Sequence, residues 1–332
     1  MRIAGGVRAI LSYADRLARR GHDVDVVVPA KSRLRALWRT WRGAGPSWVA
    51  GFAARVRWVD EFRPSDLAGA DVAVATAWWS AAVAAAAPAR ARFYLVQHYE
   101  SLYHGRAEVV DATYRLPLRK IVISTWLADI MRERFAGEAD VLVTPVDPAL
   151  FHRVDARGDG PRPRVLMLQH SYAWKGVADG LEAIARVRSR GAQLRLVGFG
   201  VKPPPEPSPY DEFHADLPQE RLAALYSGSD IYLCPSWDEG LGMPSMEAMA
   251  CGAALVTYDN GGSRDYARDG ETALVARRRD VADLADRLER AVVDDALRAK
   301  IAARGRDFVV RTFDWDRAVE RMEALFVEAV EA

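Results

Sequence analysis

The chain has 332 residues, of which 50% are hydrophobic and 27% charged, an ordinary globular composition that excludes long disorder. At about 150 residues per domain, this length predicts two domains, each large enough to bury its own core. The 46 basic and 45 acidic residues leave a net charge of +1, so no overall basic field favours nucleic acid. No apolar run reaches the roughly 20 residues of a membrane-spanning helix.

The cysteine content and the amino-terminal residues indicate in which cellular compartment the protein resides. Cys234 and Cys251 are too few for a disulfide framework or for most zinc clusters, and we expect two buried thiols. The opening residues, Met-Arg-Ile-Ala-Gly-Gly, are not followed by the apolar core of a signal peptide. We therefore expect a cytoplasmic protein.

Short apolar strands alternate with helical patterns along the chain. A first series of strands is predicted at 24–28, 72–75, 93–96, 121–124 and 141–144. A second series is predicted at 165–168, 194–197, 231–235 and 254–258, with helices between them that include 180–190 and 219–227. Apolar strands separated by helices are typical of parallel sheets covered on both faces.

The two series are separated by the proline- and glycine-rich segment 145–164, which reads as a linker. We predict a first domain over 1–148, a second over 149–312, and a terminal helix at 313–332 that packs back toward the first domain. The expected fold class is α/β, with two doubly wound, Rossmann-like parallel-sheet domains facing each other across a cleft. Ligands of such sheets bind at the carboxyl ends of the strands.

The first candidate site residue is Lys175, which ends the loop after strand 165–168 and is one of only five lysines. A compact ammonium group beside a helix start suits a phosphate. The alternative is an exposed surface lysine.

The loop after strand 231–235 carries Glu239, Gly240 and Gly242, and Glu247 follows in the predicted first turn of a helix. The glycines let a ligand approach the backbone, and carboxylates accept hydrogen bonds from sugar or ribose hydroxyls. The alternative for Glu247 is a residue that complements the helix dipole. A third glycine turn, 261–262, follows strand 254–258 on the same edge.

The run from Glu239 to Gly252, with its glutamates eight positions apart, resembles the signature of the retaining, GT-B-fold glycosyltransferases of family four. Lys175-Gly176 and Gly261-Gly262 lie where that family has further donor-domain motifs. Gly5-Gly6 and the helix after them are similar to its opening glycine loop. Residues 96–100 resemble those of bacterial rhamnosyltransferase-like members.

The resemblance implies transfer of a sugar from a nucleotide-diphosphate sugar to a carbohydrate or lipid-linked acceptor, with retention of configuration and without a metal or other cofactor. It makes 1–148 the acceptor-side domain and 149–312 the donor domain. Glu239 and His98 would be catalytic, His98 standing near the reacting carbon. Lys175 would bind the donor diphosphate, and Glu247 would bind the ribose hydroxyls. The glycine segment, Gly240, Leu241, Gly242 and Met243, would hold the transferred sugar. Gly5 and Gly6 of the first domain would bind the donor phosphates.

Two other readings stay open: a catalytically inactive nucleotide-sugar-binding subunit and a nucleotide-sugar epimerase on the same fold. Two Asp-x-Asp pairs, at 23–25 and 314–316, could also be taken for metal ligands. We interpret the first as the start of a strand and the second as part of a terminal helix.

The sequence departs from the family pattern at two places. Family members have an arginine five or six positions before the lysine, where this chain has Gln169 and His170, and Arg264 is a substitute candidate. Only four residues precede Gly5, too few for the family's first strand. We therefore predict that this strand is missing and that the printed start lies downstream of the true one.

Residues 31–42 carry Leu34, Leu37, Trp38 and Trp41 at helical spacing, with five basic residues among them. Such a helix binds anionic membrane surfaces, so peripheral contact with the inner face of the cell membrane is one interpretation. The other is a helix that packs its apolar stripe on the first domain.

Overall fold

The computed structural model describes residues 5–30, 32, 34, 38, 51–156, 160 and 162–332. The chain forms two compact units. The first comprises Met1–Thr144 and Asp316–Ala332, and the second comprises Pro145–Trp315.

The described strands of the first unit form two parallel sheets. The smaller sheet pairs β1 (Asp25–Pro29) with β2 (Arg55–Val59). The larger has the order β3-β4-β5-β6, formed by Val72–Ala75, Ala91–Val96, Arg119–Val122 and Ala139–Val141. The helices of this unit are α1 (Gly5–Arg19), α2 (Trp78–Ala85), α3 (Ala107–Thr113), α4 (Thr125–Phe135) and the terminal Trp315–Glu331.

The second unit is built on one six-stranded parallel sheet of order β12-β11-β10-β7-β8-β9. Its strands are β7 (Arg164–Leu168), β8 (Arg195–Gly200), β9 (Glu212–Ala215), β10 (Ile231–Cys234), β11 (Ala254–Tyr258) and β12 (Leu274–Ala276). Its helices are α5 (Val177–Ser189), α6 (Gln219–Ser227), α7 (Met243–Ala250), α8 (Val281–Val293) and α9 (Asp295–Thr312), so Trp315–Glu331 is α10.

The core of the second unit lies on the central strands. Every residue of β10 and of β11 is buried. Their side chains pack with apolar residues of α5 and α8 on the covering layers. Strands covered on both faces need apolar residues at every position, which is why these two runs stand out in the sequence.

Strands 72–75 and 254–258 and helix 219–227 are confirmed residue for residue. The prediction missed β2, β9 and β12. In β2 arginine alternates with apolar residues, β9 contains a glutamate and a histidine at the sheet edge, and β12 has three residues. β2 and β9 do not present the continuous apolar run that marks a central strand, and β12 is apolar but only three residues long.

The predicted strand 121–124 is displaced by two residues, because β5 runs from Arg119 to Val122 and Ser124 caps the next helix. The Ser124 hydroxyl accepts a hydrogen bond from the Leu127 N–H at 3.3 Å. The capping residue takes an extended backbone while its side chain binds a first-turn N–H group. β5 therefore ends at Val122.

We expect Ser124→Ala to lower the stability of the first unit by about 1 kcal/mol, because the buried N–H group of Leu127 loses its acceptor. The measurement is the unfolding midpoint in urea. Ser189→Ala is the matched control, since the exposed Ser189 hydroxyl donates only to the Arg186 carbonyl within its own helix. Equal midpoints for the two variants would contradict the capping role.

Within the part of the chain that the structure describes, no helix is both long and apolar enough to cross a membrane. The predicted amphipathic helix at 31–42 lies outside the described residues apart from Ser32, Leu34 and Trp38. Leu34 and Trp38 are exposed. The membrane interpretation of this segment stays a prediction.

Candidate functional site

Three loops leave neighbouring strands at the carboxyl edge of the six-stranded sheet. They follow β7, β10 and β11, and β10 lies between the other two strands. Lys175 ends the first loop, Glu239 lies in the second, and Gly261-Gly262 form the turn of the third. Strand order therefore brings together three motifs that are far apart in the sequence.

Lys175 and Glu239 form a direct ion pair. The Lys175 ammonium donates to Glu239 Oε1 at 2.6 Å, and both side chains are largely buried. Burial by itself disfavours the charged lysine, but the charge of Glu239 and its hydrogen bond outweigh burial, so the pKa of Lys175 is raised. Lys175 is therefore a fixed cation at the strand ends, and the reading as an exposed surface lysine is wrong.

The backbone around Glu239 is held against the third loop. The Glu239 N–H donates to the Asn260 carbonyl at 2.9 Å, and the Gly262 N–H donates to the Glu239 carbonyl at 3.1 Å. A Cβ atom on Gly262 would lie 2.6 Å from the Glu239 carbonyl oxygen, so a side chain there would force the loops apart. The glycine turn thus fixes where the Glu239 carboxylate stands.

The glycine segment after Glu239 is buried from Gly240 to Gly242, and Met243 is partly buried. The Tyr266 hydroxyl donates to the Leu241 carbonyl at 2.9 Å. This bond orients the backbone that was predicted to hold the transferred sugar.

Glu247 lies further along its helix than predicted. Helix α7 begins at Met243 and has no acidic residue in its first turn, so Glu247 is in the second turn. Pro244 is the second helical residue, because Gly242 in a left-handed conformation caps the helix one position earlier than expected. Glu247 is only 3% exposed, and the Tyr226 hydroxyl donates to its Oε2 at 3.2 Å. The helix-dipole alternative for Glu247 is therefore wrong.

Trp237 joins the first two loops, and the sequence analysis missed it. Its backbone N–H donates to the Trp174 carbonyl at 2.7 Å, next to Lys175. Its indole N–H donates to Asp179 Oδ2 at 2.9 Å, and the guanidinium carbon of Arg279 lies 3.7 Å from its ring centroid. The only signal in the sequence was a tryptophan two positions before Glu239.

In the first unit, Gly5 and Gly6 are the first two residues of α1 and not a loop, as the resemblance had suggested. The N–H groups of a first helical turn have no partners within the helix, so they keep the capacity to bind an anion. A Cβ atom on Gly6 would lie 3.1 Å from the Gln97 amide oxygen.

His98 lies in the loop after β4, one residue beyond Gln97, and a position in the loop after a strand is what the sequence predicts. Its ring packs edge-on against Tyr103, with centroids 4.9 Å apart, and against Trp126 at 6.4 Å. The loop is anchored at Glu100, whose carboxylate accepts the Trp78 N–H at 2.9 Å. Burial raises the pKa of Glu100.

The other candidates are engaged elsewhere. Arg264 forms a bidentate ion pair with Asp259, in which its Nε and Nη2 donate to the two carboxylate oxygens at 2.8 and 2.9 Å. Asp23 and Asp25 both bind Arg55 at 2.8 Å. Among the described residues there is no group of three or more His, Cys, Asp or Glu side chains that could hold a metal ion.

Residues 151–308 match the family model described as glycosyl transferases group 1. The chain is 30% identical over 96% of its length to the O-antigen biosynthesis protein RfbC of Myxococcus xanthus. It spans 26% of that relative, about a quarter of its length. Over the segment that carries Lys175, Glu239 and Glu247, the chain is therefore similar to glycosyl transferases group 1.

Two solved structures share the fold over nearly the whole chain. Sucrose-phosphate synthase from Thermosynechococcus elongatus superposes with a TM-score of 0.78 at 19% identity, covering 98% of this chain and 93% of that one. HepE from Anabaena, solved with UDP-glucose, gives a TM-score of 0.76 at 15% identity, covering 98% and 97%. The predicted fold class, two Rossmann-like α/β domains of the GT-B type, is confirmed.

Proposed function

We propose that this chain is a glycosyltransferase that moves a sugar from a nucleotide-diphosphate sugar to a carbohydrate or lipid-linked acceptor. The observation that carries the proposal is the buried Lys175–Glu239 pair at the carboxyl edge of the sheet, inside the matched segment. At this edge, Lys175 offers a cation that suits a diphosphate, and Glu239 offers a carboxylate that suits sugar hydroxyls.

The chemistry follows from these two charges. Lys175 stabilises the negative charge that develops on the leaving diphosphate, a form of electrostatic transition-state stabilisation. Glu239 accepts hydrogen bonds from the hydroxyls of the transferred sugar. Lys175 and Glu239 bind each other in this structure, and the bound donor would replace that ion pair with one contact to each.

The remaining roles extend the same proposal. Glu247 holds the ribose hydroxyls, and the backbone from Gly240 to Met243 holds the sugar. For the first unit, we propose His98 at the reacting carbon and the N–H groups of Gly5 and Gly6 at the donor phosphates. We propose that transfer retains the anomeric configuration and needs no metal, because Lys175 and backbone N–H groups supply the positive charge.

The resemblance of residues 96–100 to rhamnosyltransferase-like members supports a hexosyl or deoxyhexosyl donor. The name of the Myxococcus relative supports a role in bacterial polysaccharide synthesis. Neither the inactive subunit nor the epimerase is favoured, because the matched family model and relative are named for glycosyl transfer or O-antigen synthesis.

A donor panel tests the proposal. We expect the chain to release free nucleoside diphosphate from one class among UDP-, GDP-, ADP- and dTDP-sugars, with release unchanged by EDTA. Proton NMR of the first product formed would report whether the anomeric configuration is retained. Thermal stabilisation by a donor without release of nucleoside diphosphate would favour the inactive subunit. Conversion of the donor to its epimer, again without release of nucleoside diphosphate, would favour the epimerase.

A further inference from the structure

The loop that carries Glu239 is bound by an element two strands away. Strand β11 lies between β10 and β12, yet the turn after β12 contacts the loop after β10. In this turn, Arg278 Nε donates to the Trp237 carbonyl at 3.2 Å, and Arg278 Nη2 donates to the Asp238 carboxylate. Arg278 therefore binds both of the residues that directly precede Glu239 in the chain.

The turn after β12 is itself fixed to helix α8. The Arg277 N–H donates to Asp283 Oδ2 at 2.8 Å, and the Asp280 N–H donates to the Arg277 carbonyl at 3.1 Å. Arg279 has a left-handed backbone with a φ of 60°, which is uncommon for a residue with a side chain, and its guanidinium lies over the Trp237 ring. The contacts to the loop after β10 thus come from a turn with a fixed base.

The burial of Asp238 gives its bond to Arg278 more weight than an exposed ion pair would have. Asp238 is 8% exposed, and among the described residues Arg278 is the only cation that forms an ion pair with it. Without Arg278, the carboxylate either stays buried and uncompensated or turns toward water and moves the backbone next to Glu239. The Arg278 side chain is half-exposed, so its removal leaves no cavity in the core.

Glu239 is held on its other side by the glycine turn after β11, through its own N–H and carbonyl groups. We propose that Arg278 is a positioning residue, which acts through Trp237 and Asp238 to keep the Glu239 carboxylate where it meets the hydroxyls of the transferred sugar. The proposal rests on the proposed function. Because a group displaced by about 1 Å can cost on the order of a hundredfold in rate, Arg278 affects the turnover of the donor more than its affinity.

Two variants separate positioning from stability. Arg278→Ala removes both bonds and leaves the charge of Asp238 uncompensated. Arg278→Ala combined with Asp238→Asn removes that charge as well, so the lost stability should return while the loop after β10 stays unbound on this side. Arg277→Ala is the matched control, because the Arg277 side chain pairs with Asp280 and Asp283, at the start of helix α8.

The measurements are kcat and KM for release of nucleoside diphosphate from the active nucleotide-sugar, the dissociation constant of that nucleoside diphosphate by calorimetry, and the unfolding midpoint in urea. We expect both Arg278 variants to lower kcat about ten- to a hundredfold. KM and the dissociation constant should stay within about threefold of the wild type, because the bonds of Arg278 go to neither Lys175 nor Glu247. Arg277→Ala should keep kcat within about twofold, as an exposed substitution does.

A wild-type kcat in the stable double variant would show that Arg278 only stabilises the fold, and would overturn the proposal. Nucleoside diphosphate binding that weakens about tenfold or more in Arg278→Ala, with unchanged kcat, would make Arg278 a ligand of the diphosphate and would also overturn it. An equal loss of kcat in Arg277→Ala would assign the effect to the whole turn and not to Arg278. These three outcomes overturn the inference alone, because the wild type still turns over. If the wild type releases no nucleoside diphosphate from any donor, the proposed function fails together with this inference.

Discussion

Replacing Glu239 by alanine should abolish sugar transfer while the six-stranded sheet stays folded. The carboxylate is removed from the strand edge where the donor sugar is proposed to lie, and no other described carboxylate contacts Lys175. The measurement is release of nucleoside diphosphate from the active donor, with circular dichroism as the check on folding.

The same substitution has a second consequence, because Glu239 is also the partner of a buried cation. Removing one partner of a buried ion pair typically costs about 3–5 kcal/mol, since the remaining charge loses its compensation. Without Glu239, burial becomes the dominant influence on Lys175, and the pKa of Lys175 should fall. We therefore expect a lower unfolding midpoint in urea for Glu239→Ala.

A double variant separates the two consequences. In Lys175→Met combined with Glu239→Ala both charges are gone, so most of the lost stability should return while transfer stays absent. Lys175→Met alone should weaken donor binding and leave the Glu239 carboxylate uncompensated. Transfer by the stable double variant at a wild-type rate would remove both residues from the proposed mechanism.

The sequence was sufficient to place Lys175 and Glu239 in one site, and particular features explain why. Both lie in loops that follow strands with continuous apolar runs, 165–168 and 231–234, and such loops lie on the same edge of a parallel sheet. The contact itself needed the strand order, because β7 pairs with β10 although 62 residues lie between Leu168 and Ile231. Sequence periodicity carries no information about which strands are neighbours.

The contacts of Trp237 and His170 could not be predicted for a related reason. The Trp237 indole binds Asp179, which is 58 positions away on another element. His170 was noted only as the residue standing where an arginine was expected. The Tyr172 N–H donates to Nδ1 of its ring at 3.1 Å, a contact that only the folded loop shows. Single residues whose role depends on partners across the sheet leave no pattern in the chain.

The depth of Glu247 was missed because helix boundaries depend on local backbone conformation. A proline at the start of a run favours the first helical position. Here the left-handed Gly242 moves the helix start to Met243, one residue before Pro244. That shift of a single residue moves Glu247 from the first turn, where it would meet the helix dipole, into the buried second turn.

Gly176→Ala should unfold the second unit or lower its stability by several kcal/mol, a larger loss than most single substitutions cause. Gly176 has a φ of 63° and connects Lys175 to α5. An added Cβ atom would lie 1.9 Å from the Pro235 carbonyl oxygen and 2.7 Å from its carbonyl carbon. Both are backbone atoms at the end of β10, so neither can rotate away, and the loops that carry Lys175 and Glu239 must separate.

The control for this collision is Gly191→Ala. Gly191 also has a positive φ, 93°, but a Cβ atom there would meet no atom within 4 Å. Its cost is therefore the left-handed backbone alone, about 1–2 kcal/mol. The difference between the two variants in urea unfolding isolates the contact of Gly176 with Pro235. If both variants lose the same stability, the two loops can separate without a cost in free energy. The geometry of the Lys175–Glu239 ion pair would then be set by the two side chains and not by the backbone that carries them.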